Sequence, residues 1–283
     1  MEKTNAISRR VAVKSAGFGL LAVSFSNLLF AKNIIAVKAS GKLLINNDHR
    51  YPAIDEVVVA ETVGVSHFDL DRLKVLVNPR PELARATWDW GFGDWETAIG
   101  AASHVARKDI VEFLLSKGAR PDIFTFAMLG SYNIVRSMIE FSPGVQRIAG
   151  PHGISLLQHA KNGIAGDDKS SEDAHKLVDY LGSLGDADSK TYTPLAEAEK
   201  QKYLGDYKYG EGEADGFSVK LNMRKLITLG KLGKNGGALY KTGENTFIYN
   251  GTSSVTISFS VEHDKVISLT VSEPGLVLVA KKI

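Results

Sequence analysis

Past Pro194 the spacing of apolar residues changes from helical to alternating, and this switch divides the chain into two kinds of structure. Upstream, Phe68-Asp69-Leu70-Asp71-Arg72-Leu73-Lys74-Val75-Leu76-Val77 and Asp109-Ile110-Val111-Glu112-Phe113-Leu114-Leu115 repeat apolar positions every three or four residues, the period of a helix with one buried face. Downstream, Phe217, Val219, Leu221 and Met223 alternate with Ser218, Lys220 and Asn222, and Val255, Ile257, Phe259 and Val261 alternate with Thr256, Ser258 and Ser260. That is the period of a strand with one buried face. Gly233-Lys234-Asn235-Gly236-Gly237, Asn250-Gly251 and His263-Asp264-Lys265 fall where hairpin turns belong. The expectation is a multidomain chain, all-α over residues 54–190 and all-β over residues 200–283.

At 283 residues there is room for two modest cores, and 44% hydrophobic with 23% charged residues is ordinary for a folded globular chain. The first 39 residues differ in kind. Ser8-Arg9-Arg10 precedes a mildly apolar run from Ala16 to Phe30, broken by Gly17, Gly19, Ser24, Ser26 and Asn27, and Val37-Lys38-Ala39 offers a small-residue cleavage site. The segment resembles a twin-arginine export signal, which implies a periplasmic protein. The polar interruptions set it apart from the roughly 20 apolar residues of a spanning helix, so no stable membrane span is expected after cleavage at Ala39. Residues 40–53 follow as a polar linker. Removing the signal takes away six basic residues and one acidic one, so the formal charge falls from +2 to −3. No nucleic-acid footprint remains. The absence of cysteine excludes disulfides, thiolate metal sites and a Cys nucleophile.

Glu96-Thr97-Ala98-Ile99-Gly100-Ala101-Ala102, the Asp109-to-Leu115 run and Gly118-Ala119 together resemble one ankyrin repeat. Gly153-Ile154-Ser155-Leu156-Leu157-Gln158-His159-Ala160 with Leu177-Val178-Asp179-Tyr180-Leu181 and Gly185 resembles another, with Ser155 in the Thr place. Weaker copies lie around Leu73 and around Thr125 to Ile139. Aligned second helices are 38, 24 and 43 residues apart, against about 33 in a standard unit. The resemblance implies an ankyrin-repeat solenoid over residues 54–190, with one continuous core through Ile110, Leu114, Ile134, Met138 and Leu177. Such architectures recognise other proteins.

In residues 200–283, Tyr203-Leu204-Gly205-Asp206-Tyr207, Asn245-Thr246-Phe247 and the Val255-to-Val261 strand resemble a small β domain that often follows bacterial penicillin-recognising serine hydrolases. The expected form is a meander or half-barrel.

Enzyme signatures are missing: no Gly-x-Ser-x-Gly, Ser-x-x-Lys, His-Glu-x-x-His or Gly-x-x-x-x-Gly-Lys occurs, and Gly91-Phe92-Gly93 is half a dinucleotide fingerprint. Asp167-Asp168 and Asp186-Ala187-Asp188 lack the calcium-loop spacing. The seven histidines are scattered without close helical pairing, so no metal ligands, catalytic residues or cofactors are assigned. His152 is the exception in interest, because Gly150-Pro151-His152-Gly153 fixes a loop just before a repeat helix. Trp88, Trp90, Phe92 and Trp95 hold all three tryptophans, between the first and second repeats, where ankyrin proteins project hairpins that contact partners. Trp88, Trp90, Phe92, Trp95 and His152 are therefore the candidate binding residues. The function expected is non-catalytic recognition of an unidentified protein partner. The alternative is a small-ligand or catalytic site in the β domain, which a cavity above roughly 300 Å³ with convergent polar groups would favour. Repeat helices around a cleft of ionisable groups would overturn the recognition reading.

Overall fold

Among the described residues, six helices start on a side chain that accepts a hydrogen bond from a backbone N–H two or three residues on, the capping that satisfies an otherwise orphaned donor. Asp55 caps α1 (Glu56–Val65), Asp69 caps α2 (Leu70–Val77) and Thr97 caps α3 (Ala98–His104). Asp122 caps α5 (Ile123–Met128), Ser155 caps α7 (Leu156–Ile164) and Ser171 caps α8 (Glu172–Leu184). Between them lie α4 (Lys108–Ser116) and α6 (Tyr132–Phe141). The computed structural model describes residues 53–165, 171–188, 192–222, 225–234 and 236–283. The export signal, the linker save Ala53, and Asp167-Asp168 lie outside the described residues. Among those described, no helix is long and apolar enough to cross a membrane.

The eight helices form four consecutive pairs, and α1, α3, α5 and α7 pack in series. Two hydrophobic clusters result, one from Val63 and Leu73 to Leu114 and Met128, the other from Ile123 and Val135 to Leu177 and Leu181, and α5 contributes to both. Ile134, expected in the core, is 44% exposed. The buried stripe of α6 is instead Tyr132, Val135 and Ile139.

After α9 (Glu197–Tyr203) come β3 (Gly205–Lys208), β4 (Gly216–Leu221), β5 (Ile227–Lys231), β6 (Gly237–Gly243), β7 (Thr246–Tyr249), β8 (Thr252–Glu262), β9 (Lys265–Glu273) and β10 (Leu276–Lys282). Each pairs antiparallel with the next, and β10 returns to β3 through Lys281 opposite Lys208 and Lys282 opposite Tyr207. The interior is filled by Tyr203, Tyr207, Phe247 and Phe259, whose rings meet at 4.7–5.9 Å.

The architecture corrects the expected all-α ankyrin-repeat solenoid followed by a small meander or half-barrel. The β part is a closed eight-stranded barrel, because pairing β3 with β10 satisfies backbone groups that an open meander would leave at two edges. The helical part is not all-α. Between α2 and α3 the chain forms a hairpin of β1 (Thr87–Asp89) and β2 (Trp95–Thr97), turned by Gly91 and Gly93 at φ 124° and 80°. Residues from Ile54 to Ile283 make one compact unit, barrel included.

Candidate metal centre

Strand alternation decides the direction of Glu96. In β2 Trp95 is exposed and Glu96 buried, so the carboxylate enters the protein while its neighbouring indole faces solvent. Three histidines converge on it. His67 sits in the turn after α1, His104 ends α3, and His152 lies in a short 3₁₀ turn, Pro151–Gly153. Their coordinating atoms and that of Glu96 all lie within 4.8 Å of one another. His67 Nε2 is 3.4 Å from Glu96 Oε2, while His104 Nε2 and His152 Nε2 are 3.0 and 3.4 Å from Oε1.

Contacts behind the rings fix which nitrogen faces the cluster. His67 Nδ1 donates to the carbonyl of Gly64 at 2.9 Å, and His152 Nδ1 donates to Asp94 Oδ2 at 2.7 Å. Both partners accept only, so in the neutral ring the lone pair is on Nε2, pointing at another acceptor, the Glu96 carboxylate. Acceptor against acceptor at 3.4 Å demands a positive charge between them. Glu96 Oε1 and His104 Nε2 are buried without a hydrogen-bond partner, although 3.0 Å apart, because their mutual geometry does not align an N–H with a lone pair. Trp90 Nε1–H donates to Glu96 Oε2 at 2.7 Å and holds the carboxylate from outside.

Electrostatics follow from this crowding. Burial works against ionisation of Glu96, but His104 and His152 outweigh it and hold its carboxyl well below the usual carboxylate range. Burial also opposes charge on His152, yet Asp94 and Glu96 together push it up to about 10. His104 goes the other way: burial dominates the pull of Glu96 and lowers it. Without a metal, the proton on His152 therefore supplies the cation that the carboxylate requires.

The outer ring of contacts reaches the barrel. Asp94 accepts from the His152 backbone N–H at 2.9 Å and from Asn250 Nδ2 at 2.6 Å, and Asn250 Oδ1 accepts from Ala238 N–H at 2.6 Å. Three non-glycine residues here hold left-handed backbone, Phe92, His152 and Asn250 at φ 58°, 58° and 44°. Such conformations cost about 1–3 kcal/mol each and cluster at functional sites. The histidines line a cleft of about 770 Å³ whose other walls include Trp90, Ile154, Tyr240 and Tyr249.

The five residues singled out from sequence are dispersed. Trp90 and His152 line the cleft. Trp88 packs into the helical core, Phe92 stands edge-on to Tyr249 at 4.9 Å, and Trp95 is 63% exposed. His67, Asp94, Glu96, His104 and Asn250 were missed as site residues. Their positions span more than half the described chain, and the available signal was the pair of acids, Asp94 and Glu96, set among the tryptophans. Comparison with protein families, with curated proteins and with solved structures finds no match to this chain.

Proposed function

We propose that this protein binds one divalent transition-metal ion through Nε2 of His67, His104 and His152 and the carboxylate of Glu96, and presents it to the cleft for chemistry on a small molecule. The observation that carries the reading is the set of three imidazole–carboxylate separations, 3.0–3.4 Å. A single ion with bonds of about 2.1 Å has neighbouring ligands about 3.0 Å apart when octahedral and about 3.4 Å apart when tetrahedral. Three imidazoles and one carboxylate suit zinc, iron, manganese, nickel or copper; calcium and magnesium favour all-oxygen shells. Asp94 behind His152 and Gly64 behind His67 are the second ring of contacts that metal-binding histidines characteristically carry. His67 and His152 side chains keep 21% and 25% exposure, which favours an accessible ion over a sealed structural one.

Metal analysis and calorimetric titration of the purified protein test the reading. One ion per chain is expected, with zinc competing against cobalt and manganese for the same site. A folded protein that takes up none of zinc, manganese, iron, cobalt or nickel at stoichiometric level ends it.

Recognition of a protein partner is the second reading, and the observation in its favour is Trp95, a large aromatic 63% exposed beside the turn of the hairpin. Cross-linking capture that depends on Trp95 would support it; capture unchanged by Trp95→Ala would remove the support.

A further inference from the structure

Resting on the metal reading, the geometry points to an uncharged ring compound bearing a hydroxyl or carbonyl oxygen as the ligand of the cleft. Size comes first: about 770 Å³ is in the range that encloses a small organic molecule. Charge comes second. Among the described residues that line the cleft there is no Asp, Glu, Lys or Arg, so none of these side chains offers a fixed cation to a phosphate or carboxylate. A divalent ion would be balanced by the carboxylates of Glu96 and Asp94, which leaves no surplus positive charge for an anion. Binding an anion there would also mean desolvating it without a partner.

Shape comes third. Trp90 and Tyr240 put aromatic rings on the cleft, and Val105, Ile154 and Leu226 add aliphatic wall. Flat apolar surfaces of this kind stack on rings, whereas an extended flexible chain would lose more rotational freedom on binding. His67, His104 and His152 line the cleft and Glu96 does not, so the ion's remaining coordination positions open to the ligand side. An oxygen donor on the ring reaches the ion there. The assignment is of a bound ligand, with no bond made or broken.

The test uses the whole protein loaded with cobalt(II), whose visible absorption reports coordination. Phenol and benzamide are titrated as neutral probes, with benzoate and phenyl phosphate as anions carrying the same ring. The neutral probes should shift the cobalt bands saturably, and the anions should bind roughly tenfold more weakly or worse. Tyr240→Ala should keep the cobalt spectrum, and hence the fold of the site, while weakening the neutral probes roughly tenfold. A protein that takes up no cobalt overturns the metal centre and this ligand with it. One that takes up cobalt but binds the anions as tightly as the neutral probes, or responds to no probe, or is indifferent to Tyr240→Ala, overturns the ligand class alone.

Discussion

Glu96 is the residue on which the site turns, since each of the three histidines reaches one of its two oxygens. Glu96→Gln keeps the shape and removes the charge; zinc affinity should fall by roughly 100-fold or more, and Asp94→Asn, which leaves all four ligands in place, by about 10–100-fold. Calorimetric titration with far-UV circular dichroism as the folding control checks both. His159 makes a separate prediction. It is fully buried, its Nε2 has no hydrogen-bond partner, and burial lowers its pKa to about 4. The unfolded value is about 6.5, so the unfolded chain binds the extra proton first as pH falls. The stability linked to neutral His159 is full above about pH 6.5 and is lost progressively down to about pH 4, on the order of 3 kcal/mol in all. Urea midpoints at pH 7 and pH 4.5 should therefore converge for His159→Gln relative to the parent. An unchanged difference would contradict the assignment.

At the scale of elements, close approach matters more than composition. α7 packs against α5 at Gly163, where a Cβ would lie 1.9 Å from the carbonyl oxygen of Met128. Gly163→Ala should destabilise by about 1–3 kcal/mol through overpacking. Gly182 on α8 has nothing within 4 Å of its position, so Gly182→Ala should stabilise by about 0.5–1 kcal/mol through helix propensity. Thermal or urea unfolding of the pair measures the contrast. The β1–β2 hairpin is the element that sequence reading did not resolve into strands, because three residues on each side are too few to show a period. Its alternation is nevertheless what sends Glu96 inward and Trp95 outward. In α6 the helical period was visible, but its phase was not: the apolar Ile134 is half-exposed while Tyr132 is buried.

Over the whole molecule, Asp94 joins the helices to the barrel. It takes hydrogen bonds from His152 on one side and from Asn250 on the other. Asn250→Gly tolerates the left-handed φ of 44° while deleting the side chain's bonds to Asp94 and Ala238. Calorimetry should then resolve separate helical and barrel transitions where the parent shows one. Zinc at 100 times its dissociation constant should add about 2.7 kcal/mol to the parent. The same zinc should add almost nothing to Glu96→Gln, and an equal gain in both would place the ion elsewhere.

The sequence by itself determined that helical spacing gives way to alternation, though one more helix, Glu197–Tyr203, stands past Pro194 before the first barrel strand, and it determined the turns Asn250-Gly251 and His263-Asp264, because period and turn chemistry act over a handful of neighbouring residues. It also determined that no thiolate could take part. Tertiary structure alone decided that β10 meets β3 and so closes the barrel, since that pairing links strands about seventy residues apart. It alone decided the centre as well. His67, Glu96, His104 and His152 share no motif, and His152 is aimed by Asp94, which accepts its hydrogen bond from 58 residues away in the chain. A side chain's direction depends on the packing behind it, and that packing exists only once distant segments have come together.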